Sequence, residues 1–227
     1  MIILALDTSG PSAGVAVMRE GELVYEATVI NALTHSVNIM PMVEQALIRS
    51  GLTVADIALF AAVVGPGSFT GVRIGVSTVK AMAQALDKPC IGVNALEALA
   101  CGLAQTPHLV CPIRDARVQQ VYGAVFQDGH RLMEDSVLKL PDYLNAIQAL
   151  GHQFCFVGDG VPPLRDEIIR TLGDRASFSA AHLNHLKAGA AASIAWINRS
   201  QAGDAQALLP LYLRAPQAER ERQKKHG

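Results

Sequence analysis

Two hydrophobic patterns alternate along the chain. Uninterrupted apolar runs cover residues 2–6 and 57–64, and strand-forming residues cover 13–18 and 23–29. Runs this short, bounded by polar or glycine-containing turns, predict β-strands. The first closes on Asp7 and the turn Thr8-Ser9-Gly10-Pro11, and Glu20-Gly21 separates the next two, so residues 2–29 predict a three-stranded meander with an aspartate at its first corner. A helical period over 36–50, the run 57–64, the turn Gly65-Pro66-Gly67 and a longer helical stretch follow. The same order then returns: a strand over 109–113 closed by Asp115, a strand over 122–126, the turn Asp128-Gly129, a helix over 141–150, a strand over 153–157, the turn Gly158-Asp159-Gly160 and another helix. At a constant offset of 108 residues Asp7 falls on Asp115, Ala16 on Ala124, Val17 on Val125 and Gly21 on Gly129. The duplicated unit predicts an α/β protein of two lobes, each with a mixed sheet whose antiparallel edge comes from its meander and with flanking helices. The division falls after a helix over 96–104, at Gln105-Thr106-Pro107. An N-terminal lobe then spans 1–105 and a C-terminal lobe 106–227, the latter closed by an Ala-rich helix over 185–200.

The helices are apolar on more than the one side a surface helix needs. In the stretch after Gly67, Val72, Val76, Val79, Ala83 and Leu86 form one stripe toward the lobe's own sheet, and Gly71, Ile74, Gly75, Thr78, Met82 and Ala85 form a second. The helix over 36–50 doubles likewise, with Met40, Val43 and Leu47 on one side and Ile39, Met42 and Ala46 on another. Glycines at 71 and 75 permit a close helix approach. The second stripes, Ile39, Met42 and Ala46 with Gly71, Ile74, Gly75, Thr78, Met82 and Ala85, are covered either by the second lobe or by another subunit in a helix bundle.

Composition agrees with a partner. Of 227 residues 50% are hydrophobic and only 17% charged, against about 25% charged in soluble domains generally. A net charge of −1 argues against autonomous nucleic-acid binding, which needs a concentrated excess of Lys and Arg. The tail Arg220-Glu221-Arg222-Gln223-Lys224-Lys225 reads as a solvated end or as a local contact with a partner or nucleic acid. No run approaches the roughly 20 apolar residues that span a bilayer, and no leader pattern opens the chain. Cys90, Cys101, Cys111 and Cys155 lie far apart in apolar contexts, as thiols do in a reducing compartment. A cytoplasmic protein is expected.

Candidate chemistry is sparse. Residues 65–75, Gly-Pro-Gly-Ser-Phe-Thr-Gly-Val-Arg-Ile-Gly, open a helix after a buried strand and either form a structural turn or present backbone N–H groups to an anion. They match neither the dinucleotide nor the P-loop spacing, nor the nucleophile elbow. Asp7 and Asp115, with Thr8, Ser9 and the turn at Gly158, stand where duplicated nucleotide-binding folds hold a metal ion's waters, or they cap turns. The second corner reads Asp115-Ala116-Arg117 without glycine, which places the Arg117 guanidinium where a phosphate would lie. His35 begins a helix, but four residues on stands Ile39, so a helical pair of metal ligands is missing. This reading assigns no catalytic residue, no metal and no cofactor.

These features together resemble the TsaB (YeaZ) family. The resemblance rests on Ile3-Leu4-Ala5-Leu6-Asp7-Thr8-Ser9, on His35 followed by Ile39-Met40-Pro41, on Gly65 through Gly75, and on Pro210-Leu211-Tyr212-Leu213-Arg214. It runs over essentially the whole chain, most strongly the first lobe. It implies the duplicated actin-like (ASKHA) fold of sugar kinases and Hsp70. It also implies a non-catalytic scaffold that pairs through a helical bundle with a TsaD-type catalytic subunit, with a TsaE-type ATPase joining them. That complex transfers threonylcarbamoyl from its adenylate to adenosine beside the anticodon of tRNA. By the same resemblance the chain forms a homodimer when TsaD is absent and meets tRNA only through the complex. Ile39 fits the loss of TsaD's metal-binding histidines. The alternative is an actin-like ATPase or a peptidase with its own active site, against which Arg117 speaks.

Overall fold

The computed structural model describes residues 1–31 and 33–214, so the charged run 220–225 lies outside the described residues. In the first half, β1 (Ile2–Asp7) pairs antiparallel with β2 (Ala13–Arg19), which pairs antiparallel with β3 (Glu22–Val29). On the other side of β1, β4 (Leu59–Gly65) and then β5 (Cys90–Asn94) add in parallel, giving the order β3-β2-β1-β4-β5. The second half repeats this with β6 (Leu109–Asp115), β7 (Gln120–Gln127), β8 (His130–Lys139), β9 (Phe154–Val157) and β10 (Ala176–Phe178), in the order β8-β7-β6-β9-β10. The repeat read from spacing is therefore a repeat of topology. Helices α1 (His35–Ser50), α2 (Phe69–Ala85) and α3 (Ala95–Cys101) belong to the first half; α4 (Leu140–Gln148), α5 (Val161–Leu172) and α6 (Ala188–Ile197) follow in the second.

Side chains alternate across each sheet, and both faces are covered, which is why β1 and β4 read as unbroken apolar runs. On one face of the first sheet Leu4, Leu6, Val15, Val17, Phe60 and Ala62 pack against Ile39, Met42, Val43 and Ala46 of α1 and Val72, Val76, Val79 and Ala83 of α2. The other face, Ile3, Ala5, Ala16, Met18, Leu59 and Ala61, shares a core with α3, α6 and the inner face of the second sheet, Val110, Ala124, Phe126 and Val157. The second sheet's outer face packs on α4 and α5 through Tyr143, Leu144, Ile147, Val161 and Ile168. The molecule is thus layered as α1/α2, sheet, α3/α6, sheet, α4/α5. Among the described residues no helix is long and apolar enough to cross a membrane.

One expectation is corrected here. The Ala-rich helix does not close the second lobe: α6 lies across β1, β2 and β3 and against α3. Its small residues are what allow this, since a Cβ on Gly14 would meet the Ala188 Cβ at 3.2 Å, and the backbone N–H of Gly189 donates to Glu26 Oε1 at 2.7 Å. The chain beyond α6 also returns to the first sheet. Gly203 bridges Cys90 at its edge, Leu208 enters the α1/α2 core, and Leu211 N–H donates to the Val64 carbonyl at 2.7 Å. Between residues 188 and 211 the chain thus packs largely with the first sheet although it follows the second in sequence, and a division at 105 does not describe this stretch.

The end of β9 shows how tightly the second sheet is packed at the cleft. Gly158 has φ +116°, and a Cβ there would sit 2.2 Å from the Ile113 carbonyl oxygen of β6. Gly158→Ala is expected to cost about 2–4 kcal/mol, strain and overlap together. Gly102→Ala, with φ −69° and open space around it, is expected to change stability by less than about 1 kcal/mol. Urea denaturation of both variants checks the contrast.

Candidate functional site

Three loops meet where the two halves face each other: the corner after β1, the glycine turn between β4 and α2, and the turn between β9 and α5. The first two are pressed directly against each other. Ser68 N–H donates to the Ser9 carbonyl at 2.8 Å, and a Cβ on Gly67 would lie 2.2 Å from that same oxygen. Ser68 caps α2, its Oγ accepting from Gly71 N–H at 3.2 Å. Gly65 has φ +119°, and a Cβ there would meet the Leu211 carbonyl at 2.6 Å. Residues 65–71 are accordingly a turn pressed against neighbouring backbone. They border a cleft of about 670 Å³ whose other walls are Ser9, Gly10, Arg114 to Arg117, Tyr122, Asp159 and residues 211–214.

A buried ion pair forms the floor of this cleft. Arg114, only 3% exposed, projects from β6. Its Nη1 donates to Ser9 Oγ at 2.7 Å and to the Pro66 carbonyl at 3.1 Å, while Nε and Nη2 donate to Asp159 Oδ2 at 3.2 and 3.0 Å. One guanidinium therefore ties together all three loops, two from the first half and one from the second. Gly10 is required beside it, because a Cβ there would lie 2.0 Å from Nη2. Asp7 is fully buried. Its Oδ1 accepts from Ser9 N–H at 2.8 Å and Ser9 Oγ at 2.5 Å, and its Oδ2 has no hydrogen-bond partner. Burial raises the Asp7 pKa, and the nearby Arg114 charge only partly offsets that.

The corners of the repeat match in local form and differ in setting. Asp115 Oδ1 accepts from Arg117 N–H at 2.7 Å, as Asp7 accepts from Ser9 two residues on. Asp115 is exposed and Asp7 is not. Thr8 is buried, and its hydroxyl donates to the Gly71 carbonyl at 2.7 Å. This corrects the reading of the two helical glycines. A Cβ on Gly71 would meet the Thr8 carbonyl at 2.1 Å and one on Gly75 the Thr8 Oγ1 at 2.5 Å, so these glycines admit the chain's own first corner rather than a partner helix. Ile39, Met42 and Ala46 are likewise buried in the chain's own core. Arg117 is corrected as well: it turns outward on the cleft rim in a left-handed run, with φ +63°, +54° and +57° at residues 117–119, and the guanidinium that fills the floor is that of Arg114. A cation at the end of an otherwise apolar strand, followed directly by Asp115, was the signal for it. His35 bonds the Gly10 carbonyl through Nε2 at 2.8 Å. Among the described residues no three His, Cys, Asp or Glu side chains gather as a metal cluster.

The raised pKa of Asp7 has a pH signature. Between the ordinary value of 3.8 and the raised one, the folded protein holds a proton that the unfolded chain has lost. That proton makes Asp7's contribution fall as pH climbs through the interval. Asp7→Asn resembles the protonated acid at every pH. Its stability relative to the parent should therefore be near parity below pH ~4 and grow more favourable as pH rises, measured by urea denaturation across a pH series.

The family model for TsaD, tRNA N6-adenosine threonylcarbamoyltransferase, matches residues 29–221. The tRNA threonylcarbamoyladenosine biosynthesis protein TsaB of Bacillus subtilis is 33% identical over 223 residues, covering 96% of each chain. A crystal structure of a Pseudomonas aeruginosa protein described as similar to peptidase YeaZ superposes with a TM-score of 0.77 at 28% identity, covering 94% of this chain and 99% of that one. The hexokinase of the ROK family from Thermus thermophilus, at 13% identity and a TM-score of 0.52 over 88% of this chain and all of that one, shares the fold alone. The two five-stranded lobes are the actin-like fold, and the chain belongs to the TsaB (YeaZ) family.

Proposed function

We propose that this chain is a non-catalytic scaffold in the transfer of threonylcarbamoyl to tRNA, docking the outer face of α1 and α2 on a TsaD-type catalytic subunit. When that subunit is absent it pairs with a second copy of itself. A TsaE-type ATPase joins the pair, and tRNA meets the chain only within the assembly, in the cytoplasm. The relatives named for threonylcarbamoyladenosine biosynthesis support the choice of reaction. The observation that carries the scaffold role is an apolar surface the chain leaves uncovered. The α1/α2 layer lies on the face of the first sheet opposite the second lobe, so the second lobe does not reach its outer side. There Leu33, Val37, Met40 and Ile48 are each 50–60% exposed, with Ile74, Thr78 and Met82 of α2 half-buried and Ala85 exposed. Three large exposed hydrophobics on one face of α1, with Leu33 just before it, are the mark of a partner surface.

The cleft supports the other half of the proposal. A nucleotide's phosphates need open backbone N–H groups at the loop tips, and here Arg114 occupies that space, bonded to Ser9, Pro66 and Asp159. The ATPase alternative is tested by titrating the isolated chain with magnesium and ATP, for which no saturable binding or turnover is expected.

Met40→Lys should leave the chain folded, the position being half exposed, and should lower affinity for the catalytic subunit and for a second copy about a hundredfold or more. Such a loss corresponds to the roughly 3–5 kcal/mol of an unpaired charge buried at an interface. Ile169→Lys, 43% exposed on α5 in the opposite outer layer, should not. Size-exclusion chromatography and pull-down read both, and an intact Met40→Lys complex would refute the interface. In the reconstituted assembly Asp115→Ala should slow tRNA modification less than about tenfold, well short of the loss of several kcal/mol of barrier expected for an essential metal-positioning carboxylate.

A further inference from the structure

Two of the chain's arginines, Arg114 and Arg131, are fixed by carboxylates, those of Asp159 and Asp135. Arg73, in the first turns of α2, is fixed without one. Its guanidinium lies over the Phe69 ring, 3.9 Å from the centroid, and its Nε donates to the Tyr212 hydroxyl at 2.8 Å. Phe69 and Tyr212 pack against each other in turn, their ring centroids 4.9 Å apart. Among the described residues the two Nη groups hold no hydrogen bond and no ion pair. Arg73 is exposed, and it borders a hollow of about 350 Å³ shared with Phe69, Thr70, Ile74 and Ser77. Ile74 also belongs to the apolar stripe of the α1/α2 face, so the hollow is continuous with that face.

We infer that Arg73 is the charged anchor of the α1/α2 docking face and receives a carboxylate, an Asp or Glu side chain of the catalytic subunit, which rests on that subunit docking there. With Nε and one ring face engaged, the open end of the guanidinium is the Nη1/Nη2 fork, which a carboxylate meets with two parallel hydrogen bonds. The ring stack and the Tyr212 bond set the fork before a partner arrives, so little side-chain freedom is lost on binding. An ion pair in open water would contribute little. Here Phe69 and Ile74 stand beside it, and covering the face excludes water and strengthens the attraction. The neighbours also choose between anions. A nucleic-acid backbone is met by several cations together, whereas Arg73 is the one charged residue lining this hollow. Apolar contact has no direction, so a single fixed charge at the margin of the face sets the register in which the two subunits meet.

The test titrates the full chain with the catalytic subunit at low and at high salt. Arg73→Glu should lower affinity at least about thirtyfold, and Arg73→Lys about tenfold, the charge being kept and the fork lost. Arg73→Ala should show a shallower salt dependence than the parent and melt within about 3 °C of it, since only a surface stack is removed. Arg165 stacks alike on Phe178, at 3.9 Å, but on α5 in the opposite outer layer, so Arg165→Glu should bind as the parent does. Against Arg73→Glu, the acids on the docking face of the catalytic subunit are then changed to Arg one at a time, and one such change should recover affinity about tenfold or more. An Arg73→Glu chain that binds as tightly as the parent, an unchanged salt dependence in Arg73→Ala, or no rescue by any reversed acid would each overturn the inference. Met40→Lys separates the anchor from the face itself. If it releases the catalytic subunit while Arg73→Glu does not, the anchor alone is wrong; if neither releases it, the docking face is wrong as well.

Discussion

A buried guanidinium must find partners for its donors or the fold loses several kcal/mol. Arg114 finds them in three separate loops, Ser9, Pro66 and Asp159, and that requirement sets much of the surrounding geometry. Gly10 is small because Arg114 lies against it, and Gly67 because it faces both the Ser9 carbonyl and Nη1. Asp159 reaches back to accept from Asp115 N–H at 3.2 Å as well, so one acid holds the arginine and the second corner of the repeat. The two halves are thereby joined through charge at the cleft and through apolar contact at α3 and α6.

The apolar join depends on small side chains. Residues 188–195 are almost wholly Ala, Gly and Ser, and this lets α6 settle onto the meander beside Gly14. With α3 and α6 between the sheets, the inner faces of both are covered, and α4 and α5 cover the outside of the second. The outer sides of the two outermost helical layers remain, and of these α1/α2 carries the more exposed large apolar side chains. Its exposed side chains, Val37, Met40 and Ile48, face away from everything else in the chain. All four sheet faces are covered from within the chain, so this surface lies outside the core.

Duplication supplied two corners with one local design, an aspartate accepting from the backbone two residues on. Surroundings then separated them. Around Asp7 the chain packs Thr8 onto α2 and closes off solvent, leaving one carboxylate oxygen unpaired. Around Asp115 the turn opens to water, with Arg117 and Val118 at positive φ. The same residue type at the same place in a repeat is thus a buried acid with a raised pKa in one half and an exposed turn residue in the other.

The strands, the turns after them and the repeat were legible in the chain because they rest on local facts. Uninterrupted apolar runs need burial on both faces, a glycine pair needs a tight turn, and an offset of 108 aligns Asp7 with Asp115. The fold followed from these. What depended on distant contacts did not. Ile39, Met42 and Ala46 are as apolar as Met40 and Ile48, and periodicity alone could not say which side of α1 meets the sheet. Gly71 and Gly75 read as a helix contact, yet the neighbour they admit is Thr8, more than sixty residues earlier. The helix over 188–197 could not show that it packs on strands near the amino terminus, because its all-round apolarity has no direction. Arg114 rather than Arg117 fills the cleft because strand alternation and the β6–β9 pairing aim it at Asp159, a matter of which way a side chain points in three dimensions. Composition and period determine what must be buried; only tertiary packing decides against what.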